Sequence, residues 1–409
     1  MKTHELKPHV LELACPPLPV VRIGLIGVGQ RGLKALRRYA DIDGTEIRVV
    51  ADLDAERLAE ANRQLQASGR PVADVEVGEQ AWQSVCRRDD VDLVYICTEW
   101  DSHAAMAVAA LGAGKHVAVE VPAATSVSEC WQLVDAAESA RRHCFMLENC
   151  CYDFFALHTL ALARQGQLGR ITHCEGAYIH NLRDTFGLSG RPTDTLRTWM
   201  ERRCALHGGN PYPTHGMGPV AQLLGLHRGD RLDYLVSMTT QADGADGILG
   251  KVNTTLLRTV GGAGIVLQLD LTTPRPYSRL QTVCGTGGYC QKYPLPTVQL
   301  ADMPEALTGD DALHFLAPYT LPAVEPFAEE GRRKGVDNVM NYTMDARLIY
   351  CLRHGLPLDI DVYDAAEWSC IAELSEQSAR EGSRPVAVPD FTRGRWRELD
   401  GHRFHVVGD

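Results

Sequence analysis

Val20 to Gly32 runs V-V-R-I-G-L-I-G-V-G-Q-R-G. An apolar run enters Gly27, Gly29 and Gly32 at G-x-G-x-x-G spacing, the pattern in which a buried parallel strand turns sharply into a helix. Backbone amides left free at that helix N-terminus hold a pyrophosphate. A glycine triplet alone is a weak signal, but both flanks agree with it. Helix-forming Leu33 to Tyr39 follows, then an apolar strand from Glu46 to Ala51. Asp52 stands 20 residues after Gly32, where a carboxylate accepts hydrogen bonds from an adenosine ribose. The stretch is expected to bind a dinucleotide.

Strand and helix signals alternate outward from this turn, as in a doubly wound sheet. Ala55 to Ala67 reads as a helix and Val91 to Thr98 as a buried strand. That strand delivers Thr98, Glu99, Trp100, Asp101, Ser102 and His103 to the rim where open α/β sheets bind ligands. Met106 to Ala113 is a helix, His116 to Val121 a strand leading into Pro122, Ser128 to Arg141 a helix and Cys144 to Glu148 a last strand. A second domain is expected from residue 150 onward, after a dinucleotide-binding domain over 20–149. It opens with a helix near Tyr152 to Ala163 and a strand from Ile171 to His180.

Strand-length runs at Tyr234 to Thr240, Asn253 to Thr259, Gly264 to Thr272 and Leu280 to Cys284 then imply a mostly antiparallel sheet. Asn181 to Arg197 reads as a loop or lid, and Pro211 to Gly218 as a turn feeding a helix at Pro219 to Leu224. Thr297 to Gly335 is poorly periodic and carries no expected structure. Helices follow at Asn338 to His354 and Val362 to Arg380. The fold class is therefore α/β: an N-terminal Rossmann domain plus a C-terminal α+β domain with a large open sheet.

At 409 residues and 45% hydrophobic content the chain can bury large cores. A net charge of -11, with no basic stripe, argues against nucleic acid and anionic membranes as partners. No run of about 18 apolar residues occurs, so no membrane span is expected. The first twenty residues lack the apolar core of a secretion signal. The 13 cysteines are scattered without a C-x-x-C pair, which suggests reduced thiols, a cytoplasmic protein and no metal site. Cys150 and Cys151 read as small core residues.

Several runs carry a family resemblance: E-V-P-A-A (Glu120 to Ala124), M-L-E-N-C-C-Y-D-F-F (Met146 to Phe155), G-A-Y-I-H (Gly176 to His180) and Y-P-T-H-G (Tyr212 to Gly216). R-P-Y-S-R (Arg275 to Arg279), D-V-Y-D-A-A-E-W-S (Asp361 to Ser369) and P-D-F-T-R-G (Pro389 to Gly394) complete the set. With the glycine turn they resemble glycoside hydrolase family 109, within the glucose-fructose oxidoreductase and inositol dehydrogenase superfamily. The resemblance covers nearly the whole chain from Val21. It implies an NAD-dependent glycosidase of the α-N-acetylgalactosaminidase kind, and a homodimer or higher oligomer. Superfamily dehydrogenases usually follow the glutamate with a catalytic lysine, as E-K-P. Here Val121 takes that place and cannot move a proton.

Hydrolysis needs no net redox change, so the implied chemistry is transient. Hydride leaves sugar C3 for NAD, and the ketone acidifies the C2 hydrogen. Loss of that proton expels the glycosidic oxygen, water adds, and the hydride returns. The cofactor must therefore be retained between turnovers.

By resemblance, Gln30, Arg31, Asp52, Trp100, His103, Glu120, Val121 and Asn149 touch the cofactor beside Gly27, Gly29 and Gly32. Glu148, Tyr178, His215 and Tyr277 are the implied catalytic residues, with Tyr178, Tyr212, Thr214, His215 and Tyr277 on the sugar. His215 is expected to take the O3 proton, since an imidazole exchanges protons near neutrality. Tyr178 or Tyr277 would handle the C2 proton or the departing oxygen.

Met200 follows Trp199 where an arginine is expected, and Arg333 to Asp337 replace a glycine-rich run. Both departures are expected on the substrate side. A sugar 3-dehydrogenase or 3-keto-glycoside lyase, and a dinucleotide-sensing binding protein, are the alternatives.

Overall fold

The computed structural model describes residues 9–188, 198–240, 242 and 247–408. Six strands, β1 (Val21–Ile26), β2 (Thr45–Asp52), β3 (Asp74–Val77), β4 (Leu93–Ile96), β5 (His116–Val119) and β6 (Cys144–Met146), form one parallel sheet. Its order, β3-β2-β1-β4-β5-β6, reverses direction at β1, placing the glycine turn at the crevice between β1 and β4. β1, β4, β5 and β6 are buried almost throughout, as a sheet covered on both faces requires.

The crossovers are α1 (Gln30–Ala40), α2 (Ala55–Ala67), α3 (Ala81–Arg87), α4 (Trp100–Gly112) and α5 (Val127–Ala140). α5 starts at a reciprocal cap between Ser126 and Glu129. β3 and α3 fall in a stretch for which the sequence suggested no element. Their short lengths carry too few repeats for a visible period.

After a single 3-10 turn at Asn149–Tyr152, α6 (Phe154–Arg164) leads to β7 (Ile171–Ile179), the centre of a nine-stranded sheet. Next come α7 (Thr198–Leu206), α8 (Thr214–Leu224), β8 (Leu232–Thr240), β9 (Val252–Thr259), β10 (Gly264–Asp270), β11 (Ser278–Gly285) and β12 (Gly288–Gln291). β13 (Thr297–Leu300), β14 (Leu307–Thr308), α9 (Asp310–Leu316), α10 (Glu325–Lys334), α11 (Val339–His354), α12 (Val362–Arg380) and β15 (Val386–Ala387) follow, with a 3-10 turn at Arg395–Arg397 after them. The strand order is β14-β13-β12-β11-β7-β10-β9-β8-β15, with only β7 and β10 parallel.

Three expectations are corrected here, the first being that α4 begins at Trp100 rather than Met106, so Trp100 to His103 stand on its first turn. Thr297 to Gly335 is structured, holding β13, β14, α9 and α10; strands of two to four residues pair at a sheet edge without a readable pattern. The helix expected from Pro219 begins at Thr214 and carries Pro219 in its interior. Residues 189–197 of the expected lid lie outside the described residues, as do 241 and 243–246.

α12 lies between the two sheets, touching α5 and β6 on one side and β8 on the other. One apolar core therefore runs from β1 through α12 to β8. The C-terminal helices also return to the first domain through charge. Asp345 on α11, fully buried, accepts hydrogen bonds from Arg38 Nε at 2.6 Å and Tyr39 Oη at 3.3 Å. Removing one partner of such a pair strands a buried charge, which costs about 3–5 kcal/mol.

Candidate active site

At the nucleotide end the three glycines have separate reasons to lack a side chain. Gly27 has φ +90°, and a Cβ there would lie 2.3 Å from Cys97 O. A Cβ on Gly32 would lie 2.0 Å from Gly27 O, so turn and helix are in backbone contact. A Cβ on Gly29 would meet only Arg57 Nη1, at 3.9 Å. Gly29 thus borders open space before the first amides of α1, a cradle that fits a pyrophosphate. Asp52 is fixed beside it: Oδ2 accepts from Val28 N–H at 2.8 Å and Oδ1 from Asp54 N–H at 3.0 Å.

The other residues expected at the cofactor are placed as follows. Gln30 opens α1. Arg31 donates to Glu120 Oε1 at 2.7 Å, and Tyr95 Oη donates to the same oxygen at 3.0 Å. Burial pushes the Glu120 carboxyl up, but Arg31 outweighs it, and the group stays ionised. Val121 is buried and apolar. His103 is enclosed, with Nδ1 2.8 Å from Pro122 O and Nε2 3.0 Å from Thr98 O, so its ring braces the loops after β4 and β5. Asn149 Nδ2 donates to Asn341 Oδ1 at 2.6 Å.

Trp100 turns toward the second domain, stacked on Tyr212 at 5.1 Å with an interplanar angle of 12° and edge-on to Trp199 at 5.2 Å. Met200, on α7, joins Trp100, Leu182 and Phe186 in a small apolar cluster. Arg203 is held by Asp101 at 2.9 Å. Lys334 bonds the Asp41 carbonyl, beyond the end of α1 opposite the glycine turn, and the Tyr342 hydroxyl.

At the sugar end, Glu148 follows β6 and reaches across to the first turn of α8. His215 Nδ1 lies 2.8 and 3.0 Å from the two Glu148 oxygens, and Nε2 lies 3.0 Å from Tyr212 Oη. Cys150 N–H donates to Glu148 Oε1 at 3.0 Å. Glu148 is completely buried, and Thr214 beside His215 is as well. Burial pushes the Glu148 carboxyl up, but His215 outweighs it and holds the group ionised. Burial works against charge on the His215 ring, while Cys150 and Glu148 raise its pKa to about 10. The Nδ1 side is thereby fixed, and Nε2 with the Tyr212 hydroxyl is the side that exchanges protons.

Glycines make this approach possible. A Cβ on Gly176 of β7 would lie 2.2 Å from Gly216 O, and one on Gly216 would lie 2.6 Å from Ala177 N. α8 therefore rests on β7 backbone to backbone, setting His215 against Tyr178 with ring centroids 5.1 Å apart. Gly218 gives Glu148 its room, since a Cβ there would lie 2.7 Å from Glu148 Cγ.

Tyr178 meets Tyr212 at 5.0 Å and Tyr277 at 6.4 Å, both edge-on. Trp100, Tyr212, Tyr178 and Tyr277 thus form one aromatic wall from the nucleotide rim to the second sheet. The structure brings Glu148, Tyr178, Tyr212, Thr214, His215 and Tyr277 together, with Tyr277 the most exposed of them at 44%. Two residues quoted in the motifs but given no role also stand here. His180 Nδ1 lies 2.9 Å from Tyr178 Oη, a partnership signalled by i, i+2 spacing on a strand. Arg279 donates to Asp153 at 2.7 Å, and burial of its guanidinium is outweighed by Cys150 and Asp153.

The model of the glycosyl hydrolase 109 C-terminal domain matches residues 152–398, and that of the oxidoreductase family with an NAD-binding Rossmann fold matches residues 21–148. A glycosyl hydrolase family 109 protein of Phocaeicola vulgatus is 51% identical over 96% of this chain and 99% of its own length. The chain belongs to glycosyl hydrolase family 109. A Bacteroides fragilis protein named alpha-N-acetylgalactosaminidase is 52% identical over 95% of this chain and 96% of its own. Among solved structures, a levoglucosan dehydrogenase with NADH and levoglucosan matches at TM-score 0.68 and 18% identity, covering 90% of this chain and all of that one. An aldose-aldose oxidoreductase from Caulobacter crescentus matches at 0.66 and 17%, with the same coverage. These share the fold. This family 109 protein is an NAD-dependent glycosidase, and the cradle at Gly29 and Asp52 fits that cofactor. No described helix is long and apolar enough to cross a membrane.

Proposed function

We propose that this family 109 protein cleaves α-N-acetylgalactosaminides by transient oxidation at C3, deprotonation at C2 and elimination of the aglycone. The observation that carries the reading is the Glu148–His215–Tyr212 chain of hydrogen bonds, set in an aromatic wall that begins at the nucleotide rim. NAD, when bound, supplies a hydride acceptor that gives the hydride back at the end of the cycle. Glu148 holds the His215 ring by Nδ1, and the neutral form of the ring, which grows as pH rises toward about 10, accepts the sugar O3 proton on its Nε2 side. Tyr178 and Tyr277, adjacent in the aromatic wall, serve the C2 proton and the departing oxygen. Val121 is buried and apolar and takes no part in proton transfer. Aromatic faces pack against the C–H face of a sugar and exclude water from the developing carbanion.

A panel of nitrophenyl glycosides tests the substrate, with α-N-acetylgalactosaminide expected to turn over fastest. Deuterium at C2 of the product after turnover in heavy water tests the route; unexchanged product rejects it. Stoichiometric release of NADH would instead indicate a sugar dehydrogenase.

The open face of the second sheet supports self-association. Val236, Leu256 and Val266 form a row across β8, β9 and β10, flanked by Tyr234 and Met238. Tyr234, Met238 and Leu256 are 36, 59 and 53% exposed, a patch that a second copy would cover. Light scattering is expected to give a dimer or higher oligomer. Thirteen cysteines, all unpaired, support a reducing cytoplasmic setting.

A further inference from the structure

Two hydrogen-bonded tyrosine–histidine pairs stand side by side in this site. In the first, Tyr212 meets His215 Nε2 while Glu148 holds the other ring nitrogen. In the second, the Tyr178 hydroxyl lies 2.9 Å from His180 Nδ1. The pairs touch through ring edges, Tyr178 to Tyr212 and Tyr178 to His215.

The backbone builds the second pair. His180 directly follows β7, and its N–H donates to Asp270 O at 2.9 Å, continuing the contact with β10. Tyr178 and His180 are two residues apart on this extended segment and so leave it on one face. Tyr277 packs edge-on against the His180 ring at 5.3 Å.

We propose that His180 makes Tyr178 the base at C2, by taking the phenol proton as Tyr178 receives the proton from carbon. The inference rests on the oxidation–elimination reading above. That reaction moves two protons at neighbouring positions, from O3 and from C2, and the site holds two separate pairs to move them. A phenol alone is a poor base at neutral pH, because with an ordinary pKa near 10 only about one in a thousand is ionised at pH 7. A hydrogen-bonded imidazole removes that obstacle, since no free phenolate need form first.

In the step, the C2–H bond breaks and its electron pair enters the C2–C3 bond as the adjacent ketone becomes an enolate. The C2 proton goes to Tyr178 Oη, and the phenol's own proton goes to His180 Nδ1. An enolate and an imidazolium result, so charge balances. The proton received by Tyr178 Oη exchanges with solvent, as does the one on His180, before a proton returns to C2 from Tyr178. His180 acts through Tyr178 and is a positioning residue with a proton-holding role; Tyr178 is the catalytic residue.

His180→Asn tests this, because asparagine keeps an acceptor for the Tyr178 hydroxyl but takes no proton. The variant is expected to retain its nicotinamide and KM, and to reduce the nicotinamide when glycoside is added. That absorbance then persists, while C2 deuterium incorporation and aglycone release both fall about 100-fold or more. Tyr178→Phe is expected to show the same stalled signature, and the double variant to be no slower than either single one. Wild-type C2 exchange in His180→Asn overturns the assignment. So does loss of the nicotinamide reduction together with exchange in both single variants, which would place the pair before oxidation. A wild-type enzyme that forms no reduced nicotinamide and no C2 deuterium fails differently, removing the oxidation–elimination reading itself.

Discussion

Gly32 and Gly216 solve the same steric problem in two places. Each lets a helix start lie directly on other backbone: α1 on the turn at Gly27, and α8 on β7 at Gly176 and Ala177. The first contact joins residues five apart in the chain, the second joins residues 40 apart. A close approach made within one turn repeats as a motif, whereas one made across a fold leaves two unremarkable glycines. The nucleotide end is thus written locally, and the sugar end is assembled from β6, β7, α8 and the segment before β11.

The largest expected effect breaks the assembled end chemically. His215→Gln keeps an acceptor for packing but removes proton exchange, so aglycone release is expected to fall about 10²–10⁴-fold with bound nicotinamide unchanged. Next, Gly216→Ala forces a methyl to within 2.6 Å of Ala177 N and shifts His215 from Tyr178. Turnover is expected to drop about 100-fold, again without loss of nicotinamide absorbance.

Gly32→Ala is the mirror test. Its methyl would lie 2.0 Å from Gly27 O; overpacking costs about 1–3 kcal/mol, read as a lowered melting temperature, and the nicotinamide is lost. If both alanine variants lost cofactor and turnover together, the two ends would be one unit and the comparison would fail.

The proton on His215 sharpens it further. The folded pKa of about 10 lies above the ordinary 6.5, so the folded protein holds this proton more tightly than the unfolded chain. The resulting stability is fully present below about pH 6.5 and is lost as pH rises through about 10. Thermal melts from pH 6 to 10 are expected to fall more steeply in the wild type than in His215→Gln. Turnover at low substrate is expected to rise over the same range as the ring empties. Smallest is Gly29→Ala: with only Arg57 Nη1 at 3.9 Å from its methyl, the melt of cofactor-free protein is unchanged while NAD binding weakens by calorimetry.

Legibility follows the same division. α2 agrees with its expected bounds at both ends because its apolar period spans more than three turns. β13 and β14 were not legible because two to four residues show no period. α8 was placed five residues late because Pro219 favours a helix start, yet tertiary contact through Gly216 and Gly218 carries the helix through it. Met200 stood out as a departure from the expected motif, but only packing shows it buried beside Trp100.

By itself, the order of residues determined the glycine turn, Asp52 at the second strand and the motif-bearing side chains, because each depends on neighbours a few positions away. Tertiary structure decided which nitrogen of His215 Glu148 holds, that Tyr178 pairs with His180, and that His103 and Glu120 are committed to partners inside the first domain. Those outcomes depend on distances between segments far apart along the chain, and only close packing of helix on strand brings such segments within hydrogen-bond reach.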